Sequence, residues 1–369
     1  PQPFCPFGAP LPHSETVVTF GWGGRSAVTP DVDAVLVVSF GGPEGPDDVL
    51  PFLQNVTRGR NVPPERLVAV ARNYEAVGGV SPLNGQMRRL VDGLRTHFGN
   101  LCLDNRSESG SGGTDSEQVG ALPVYWGNRN WQPYLADTVR QMADDGIRHA
   151  LAFVTSAYSS YSSCRQYLED LERARDAAGP DAPMLTKLAP FFDRAEFVDP
   201  FIAGATEALA ERPPHTTALI GTAHSLPRSM AEQCDYEDQL RSVLGRVAAG
   251  AHHAGRTELA WQSRSGPPQV PWLEPDIGDL LPRLAADGIT HVVVAPIGFL
   301  TDHFEVIWDL DTIAAAQAAD AGLDWCRIPT PGPAPATVDL VAHLVAEARE
   351  GQGPRVCPAT CCPPPERPA

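Results

Sequence analysis

Short apolar runs rich in β-branched residues recur along the chain, separated by stretches of helical period. Residues 33–40 (DAVLVVSF) and 292–296 (VVVAP) are hydrophobic on both faces, which predicts buried parallel strands. Further strands are predicted near 122–126, 150–155, 217–221, 258–261 and 324–327. Between them, apolar residues at intervals of three and four predict helices. One starts at Asp47-Asp48, one covers 66–76, and one follows Ser81-Pro82 as far as Leu94. Others are predicted over 133–143, 164–175, 228–249, 276–286, 304–319 and 336–349. Strands alternating with helices imply an α/β fold of two similar doubly wound (Rossmann-like) domains, with parallel sheets and an inter-domain cleft.

A local echo supports the doubling. Met142-Ala-Asp-Asp-Gly-Ile-Arg-His149 precedes one strand and Leu284-Ala-Ala-Asp-Gly-Ile-Thr-His291 another; in each, glycine stops a helix before a parallel strand. Residues 1–30 read as a flexible leader and 31–190 as a first α/β domain, with a flexible low-complexity insertion at 104–120. Residues 191–350 read as a second α/β domain, whose last helix is placed to cross back to the first. Residues 351–369 form a cysteine-rich tail.

Composition narrows the function. A net charge of −17 argues against a nucleic-acid partner, because phosphate binding needs a basic face. No apolar run is long enough to span a bilayer and the chain does not open on a signal-peptide pattern, so a cytoplasmic location is expected. The eight cysteines are then expected as thiols.

Chemistry gathers where strands end, the edge at which open α/β sheets bind ligands. Thr222-Ala-His224-Ser225 follows one strand, and Thr301-Asp302-His303-Phe304-Glu305 follows another. An imidazole and carboxylates facing one cleft suit transient divalent-metal binding and proton movement. The plainer reading of Asp302 and Glu305 is a capping box opening a helix. Neither H-E-x-x-H, nor a dinucleotide glycine fingerprint, nor a P-loop is present. In the tail, Cys357, Cys361 and Cys362 fall within six residues. With Cys164, at a helix start, they would supply four thiolates for an iron–sulfur cluster or a tetrahedral zinc site.

Several motifs carry a resemblance: Val38-Ser-Phe-Gly-Gly-Pro43, Arg58-Gly-Arg60, Tyr74-Glu-Ala-Val-Gly-Gly-Val-Ser-Pro-Leu83, Thr222-Ala-His-Ser-Leu-Pro227, Trp261-Gln-Ser-Arg264 and Gly298-Phe-Leu-Thr-Asp-His-Phe-Glu305, with Asp309-Leu-Asp311. From about 33 to 349 the chain resembles the ferrochelatases, which insert ferrous iron into a porphyrin. Tyr125-Trp-Gly-Asn-Arg-Asn-Trp131 and the cysteine tail resemble the actinobacterial branch, which is similar to coproporphyrin ferrochelatases. The resemblance implies coproporphyrin III and Fe²⁺ as substrates, Fe-coproporphyrin III as product on the route to haem b, and other haem-pathway enzymes as partners. It implies His224 as proton acceptor and metal ligand, with Glu305 as metal ligand or proton relay. It puts Ser81, Tyr167, Arg58 and Phe40 at the porphyrin, and makes Cys164, Cys357, Cys361 and Cys362 the ligands of a [2Fe–2S] cluster. Some bacterial members carry a tyrosine at the position of Phe40 that reaches the product iron; that contact is not expected here.

Asp302 or His303 is expected to assist Glu305, and Tyr158 and Trp261, with Phe40, to grip the flat ring. The alternatives are a protoporphyrin IX ferrochelatase, a tetrapyrrole-binding protein without catalysis, a two-domain glycosyltransferase and a redox protein built around the cluster.

Overall fold

The computed structural model describes residues 31–59, 62–107, 122–266, 269–351 and 361–364. The first half runs β1 (Ala34–Ser39), α1 (Pro46–Val56), α2 (Pro64–Ala76), α3 (Leu83–Ser107), β2 (Val124–Asn128), α4 (Leu135–Asp144) and β3 (His149–Val154). A π-helical turn (Tyr161–Arg165) then leads into α5 (Gln166–Ala178), β4 (Met184–Lys187) and α6 (Ala195–Leu209). The second half runs β5 (Thr217–His224), α7 (Arg228–Ala231), α8 (Tyr236–Gly250), β6 (Arg256–Gln262), α9 (Ile277–Ala286) and β7 (His291–Ala295). It continues through α10 (Phe304–Val306), a π-helical stretch (Ile307–Ala314), α11 (Ala315–Asp320), β8 (Asp324–Arg327) and α12 (Pro335–Arg349).

The strands form two four-stranded parallel sheets, ordered β2-β1-β3-β4 and β6-β5-β7-β8. The order is the same in both, and so is the register. Ala34 pairs with Ala150 in one sheet, and Ala218 with Val292 in the other. His149 pairs with Met184, and His291 with Asp324. With the echoed histidines superposed, Ala34 corresponds to Ala218 and Phe40 to His224. The same superposition makes Lys187 the counterpart of Arg327, and the first residue of α6 that of α12. Because strand side chains alternate faces, a slip of one residue in either sheet would break this match and turn its core outward.

β1 is buried along its whole length, as is β5 but for His224, which explains why both read as uninterrupted apolar runs. The helices after the last strands are exchanged. α6 packs on α8 of the second half, and α12 packs on α3 of the first. Val338 of α12 sits so close to Gly93 of α3 that a Cβ there would lie 2.9 Å from its methyl. One apolar core therefore runs through both halves, from Val37 and Met87 to Val293 and Leu340. Tyr158, buried in it, donates its hydroxyl proton to the carbonyl of Ile297 across the halves at 2.7 Å.

Residues 176–216 carry no element in the sequence reading, yet hold β4 and α6. β4 is four residues long and only half buried, so its alternation is too short to register, and Pro200 inside α6 hides the helical period. The expected helix 228–249 breaks at 232–235, and 304–319 is wound partly as π-helix. α3 extends to Ser107, so the expected insertion begins in a helix; residues 108–121 and the leader 1–30 lie outside the described residues.

Candidate active site

His224 is the last residue of β5 and Glu305 lies in the first turn of the helix beyond β7, so adjacent strands deliver both to one carboxyl edge. Gly298 makes the approach possible. Its backbone N–H donates to Thr222 at 2.9 Å, and a Cβ there would stand 2.5 Å from that of Ala223. The loop after β7 is thereby pressed onto the end of β5. Nε2 of His224 lies 3.8 Å from Oε2 of Glu305, with the side chains 31% and 45% exposed. Nδ1 of His224 is 2.6 Å from the carbonyl of Ser225. A carbonyl can only accept, so in neutral His224 the proton sits on Nδ1, and Nε2 turns a lone pair toward Glu305.

The structure corrects the expectations for Asp302, Tyr158 and Trp261. Asp302 does not cap the helix: its carboxylate is held by Arg327 and Thr330, and its carbonyl accepts from Gln86 of α3. His303 is the cap, its Nδ1 accepting the Glu305 N–H at 3.2 Å. Burial, and secondarily the charge of His224, lower the His303 pKa against the opposing pull of Glu305 and Asp302, which favours the neutral ring that a cap acceptor requires. The Asp302 carboxylate is thus committed to Arg327 and Thr330, and His303 uses Nδ1 for the cap. Trp261 and Tyr158 are each 1% exposed, inside the common core, and cannot grip a ligand.

Two residues that lie in the quoted motifs but carry no role in the sequence reading extend the site. Asp309 lies in the π-helical stretch after Glu305 and accepts a hydrogen bond from Ser263. Burial pushes its pKa up to about 6; the Ser263 bond and His224 oppose the rise, and Glu305 and Asp276 add to it. Tyr74 of α2 stacks on Phe304, ring centroids 3.4 Å apart, and burial plus the charge of Glu305 raise its pKa. The signal for Asp309 was its place four residues beyond Glu305. Ser263, inside the Trp261–Arg264 motif, reaches Asp309 from a backbone with φ of +60°.

At the end of β1, Phe40 is 39% exposed and meets Phe52 edge-on. Ser81 is buried under the turn at Gly42, where a Cβ would approach the serine's Cβ to 2.7 Å. Arg58 is exposed in the turn after α1, and Arg60 lies outside the described residues. Tyr167 is buried, with the Arg129 guanidinium 5.1 Å above its ring and Arg129 paired to Asp170 at 2.9 Å. The structure thus brings His224 and Glu305 together, leaves Phe40 and Arg58 open to solvent, and puts Tyr167 behind Arg129.

Cys164 is buried in the π-helical turn before α5. Arg165, next in the chain, donates to the carbonyl of Cys361 at 3.0 and 3.3 Å and so holds the tail against this turn. The Cys361 and Cys362 sulfurs are 3.8 Å apart. Cys357 lies outside the described residues. Among the described residues, no group of three or more His, Cys, Asp or Glu converges as a metal site, and no helix is long and apolar enough to cross a membrane.

A profile of the ferrochelatase family matches residues 32–349. A protein of Mycobacterium ulcerans named coproporphyrin III ferrochelatase is 50% identical over 327 residues, covering 88% of this chain and 89% of its own. One of the same name from Frankia alni is 48% identical over 361 residues, covering 91% and 88%. Among solved structures, SirB from Bacillus subtilis with Fe³⁺ aligns at 12% identity with a TM-score of 0.49, covering 87% of this chain and 98% of its own. A match that spans both sheets and the loops at which His224 and Glu305 meet places this chain in the ferrochelatase family.

Proposed function

We propose that this chain inserts ferrous iron into coproporphyrin III, releasing two protons and yielding Fe-coproporphyrin III. The observation that carries the reading is the pair His224–Glu305, set 3.8 Å apart at the carboxyl edge of the second sheet in a chain 50% identical to a coproporphyrin III ferrochelatase.

The Nε2 lone pair of His224 is placed to take a pyrrole proton or to ligate the incoming iron. The Glu305 carboxylate offers the iron an oxygen ligand or passes the proton outward. Asp309, with a pKa of about 6, is the next group able to exchange a proton at neutral pH. Phe40, exposed at the end of β1, offers a flat apolar surface to the macrocycle, and Ser81 shapes the turn beside it. Arg58 supplies exposed positive charge for a propionate. Tyr167, buried beneath Arg129, acts by holding that guanidinium rather than by presenting its own ring.

Cys164, Cys357, Cys361 and Cys362 would hold a [2Fe–2S] cluster. Two thiolates bound to one tetrahedral metal at about 2.3 Å stand about 3.8 Å apart. The Cys361–Cys362 spacing fits that value, and Arg165 holds the Cys361 backbone beside the turn that carries Cys164. The cluster would tie the tail to the first half. Visible absorption of the purified protein, with iron and sulfide analysis, tests this.

The deciding experiment is a chelatase assay with Fe²⁺ and either coproporphyrin III or protoporphyrin IX. Preference for coproporphyrin III supports the proposal. Preference for protoporphyrin IX replaces the substrate, and porphyrin binding without turnover replaces the activity.

A further inference from the structure

The segment that carries His303, Glu305 and Asp309 is fastened at both ends to one side chain from another strand. Arg327, the last residue of β8, is 15% exposed. Its Nε and Nη2 donate to both oxygens of Asp311, at 2.5 and 2.8 Å, inside the π-helical stretch after Glu305. Its Nη1 and Nη2 donate to Asp302 at 3.2 and 3.5 Å, just ahead of His303. Thr330 adds a bond to Asp302 at 3.1 Å, and Gln86 holds the Asp302 backbone at 3.0 Å.

We propose that Arg327 is a positioning residue for the iron site: one guanidinium clamps Asp302 and Asp311, and so fixes where the segment between them presents Glu305 and Asp309. This deepens the proposed function and rests on Glu305 handling iron.

The geometry is particular to arginine, whose planar fork serves two carboxylates at once. A lysine ammonium at that place cannot give the side-on pair to Asp311 and still reach Asp302. The duplication supplies a contrast, because Lys187 stands at the equivalent position of the first half and donates to the adjacent Leu188 carbonyl. The clamp belongs to the half that carries Glu305. Burial weighs against the charge of Arg327, and Asp311 and Asp302 more than offset it, so the guanidinium stays protonated. The clamped stretch is the part of the helix that departs from α geometry, with Asp311 within the π-helical turns. Loss of the clamp frees two carboxylates that repel each other and Glu305.

The test compares Arg327→Leu and Arg327→Lys with the wild type by two independent readouts. Hydrogen exchange should show faster exchange at amides 303–314 in Arg327→Leu, with amides of β5 and β7 unchanged. Iron insertion should fall about 100-fold in kcat/KM for Fe²⁺, as expected when reacting groups are misplaced by an ångström. The dissociation constant for coproporphyrin III, read by fluorescence quenching, should stay within about twofold if only the iron side is disturbed. Arg327→Lys should recover part of the activity and of the protection. If Arg327→Leu does not fold, Arg327→Lys is read by the same criteria. Unchanged exchange at 303–314 overturns the inference, as does porphyrin affinity lost in step with turnover. A wild type that binds porphyrin without inserting iron defeats the proposed function instead, and exchange still decides whether the clamp exists.

Discussion

The two halves share strand order and strand register, but end their equivalent first strands differently. β5 ends in His224, whose Nε2 faces Glu305; β1 leads to Phe40, which meets Phe52. β8 ends in an arginine that clamps two acids, and β4 in a lysine that does not. One backbone plan thus carries an imidazole–carboxylate edge in one half and an apolar edge in the other. The scaffold does not dictate chemistry; the residue at each strand's carboxyl end does. The asymmetry suits a flat ligand pressed on one side by an aromatic surface and approached on the other by a base.

The most severe way to break the contrast is to make the two edges alike by removing the base. His224→Ala is expected to lower kcat for iron insertion by about 10²–10⁴-fold, the range for loss of a general base, while coproporphyrin III still binds. Steady-state kinetics with fluorescence titration checks this, and near-normal turnover would remove His224 from the reaction. The converse change sharpens the contrast. Phe40→His puts an imidazole at the place where the second half has one. We expect a severalfold slower release of Fe-coproporphyrin III and a shifted Soret band for the bound product, because the new ring offers an axial ligand.

Much of this contrast was legible in the sequence. Uninterrupted Val/Ile/Leu runs give parallel strands because such strands are buried on both faces, and the paired Gly-Ile-x-His joints announce the duplication. That His224 and Glu305 meet was legible because each stands at or just beyond the end of an apolar run. The reciprocal exchange of α6 and α12 was half visible: the last helix was expected to cross back, but Pro200 masked its partner. The cap was misassigned because Asp302 and His303 both have side chains able to cap. The arginine on β8, 25 positions away, and Thr330 beyond it show that Asp302 is already engaged. Tyr158 and Trp261 read as ring-grippers from residue type, and their burial depends on packing between the halves, which no local pattern encodes.

A smaller effect comes from Asp309. Its folded pKa, about 6, lies above the value of an unfolded aspartate. The folded state therefore holds the proton more tightly, so the associated stability is complete below about pH 4 and is lost as pH rises through 6. Asp309→Asn removes that loss. The variant should gain stability relative to wild type as pH goes from 4 to 8, by at most roughly 3 kcal/mol from the size of the shift. Denaturant melts at the two pH values measure this. If Asp309 also passes protons from Glu305, the acid limb of the kcat profile near pH 6 should flatten in the same variant.

The smallest expected effect concerns the helix exchange that binds the unlike halves together. Arg194, at the start of α6, pairs with Glu347 of α12 through two bonds, at 2.7 and 2.5 Å, with both side chains 35% exposed. The geometry is bidentate, but the pair is open to water and screened by salt, so it is worth about 1 kcal/mol or less. The same helices bury Phe197, Phe201, Leu340 and Leu344 in the common core, and each such side chain contributes about 1.5–3 kcal/mol by burial. Apolar contact therefore holds the exchange, and the ion pair only trims it. Glu347→Ala should lower the unfolding free energy by less than about 1 kcal/mol and leave kcat unchanged, whereas Phe197→Ala should cost about 3–5 kcal/mol. A loss from Glu347→Ala comparable to that from Phe197→Ala would mean that the two halves are joined chiefly by charge.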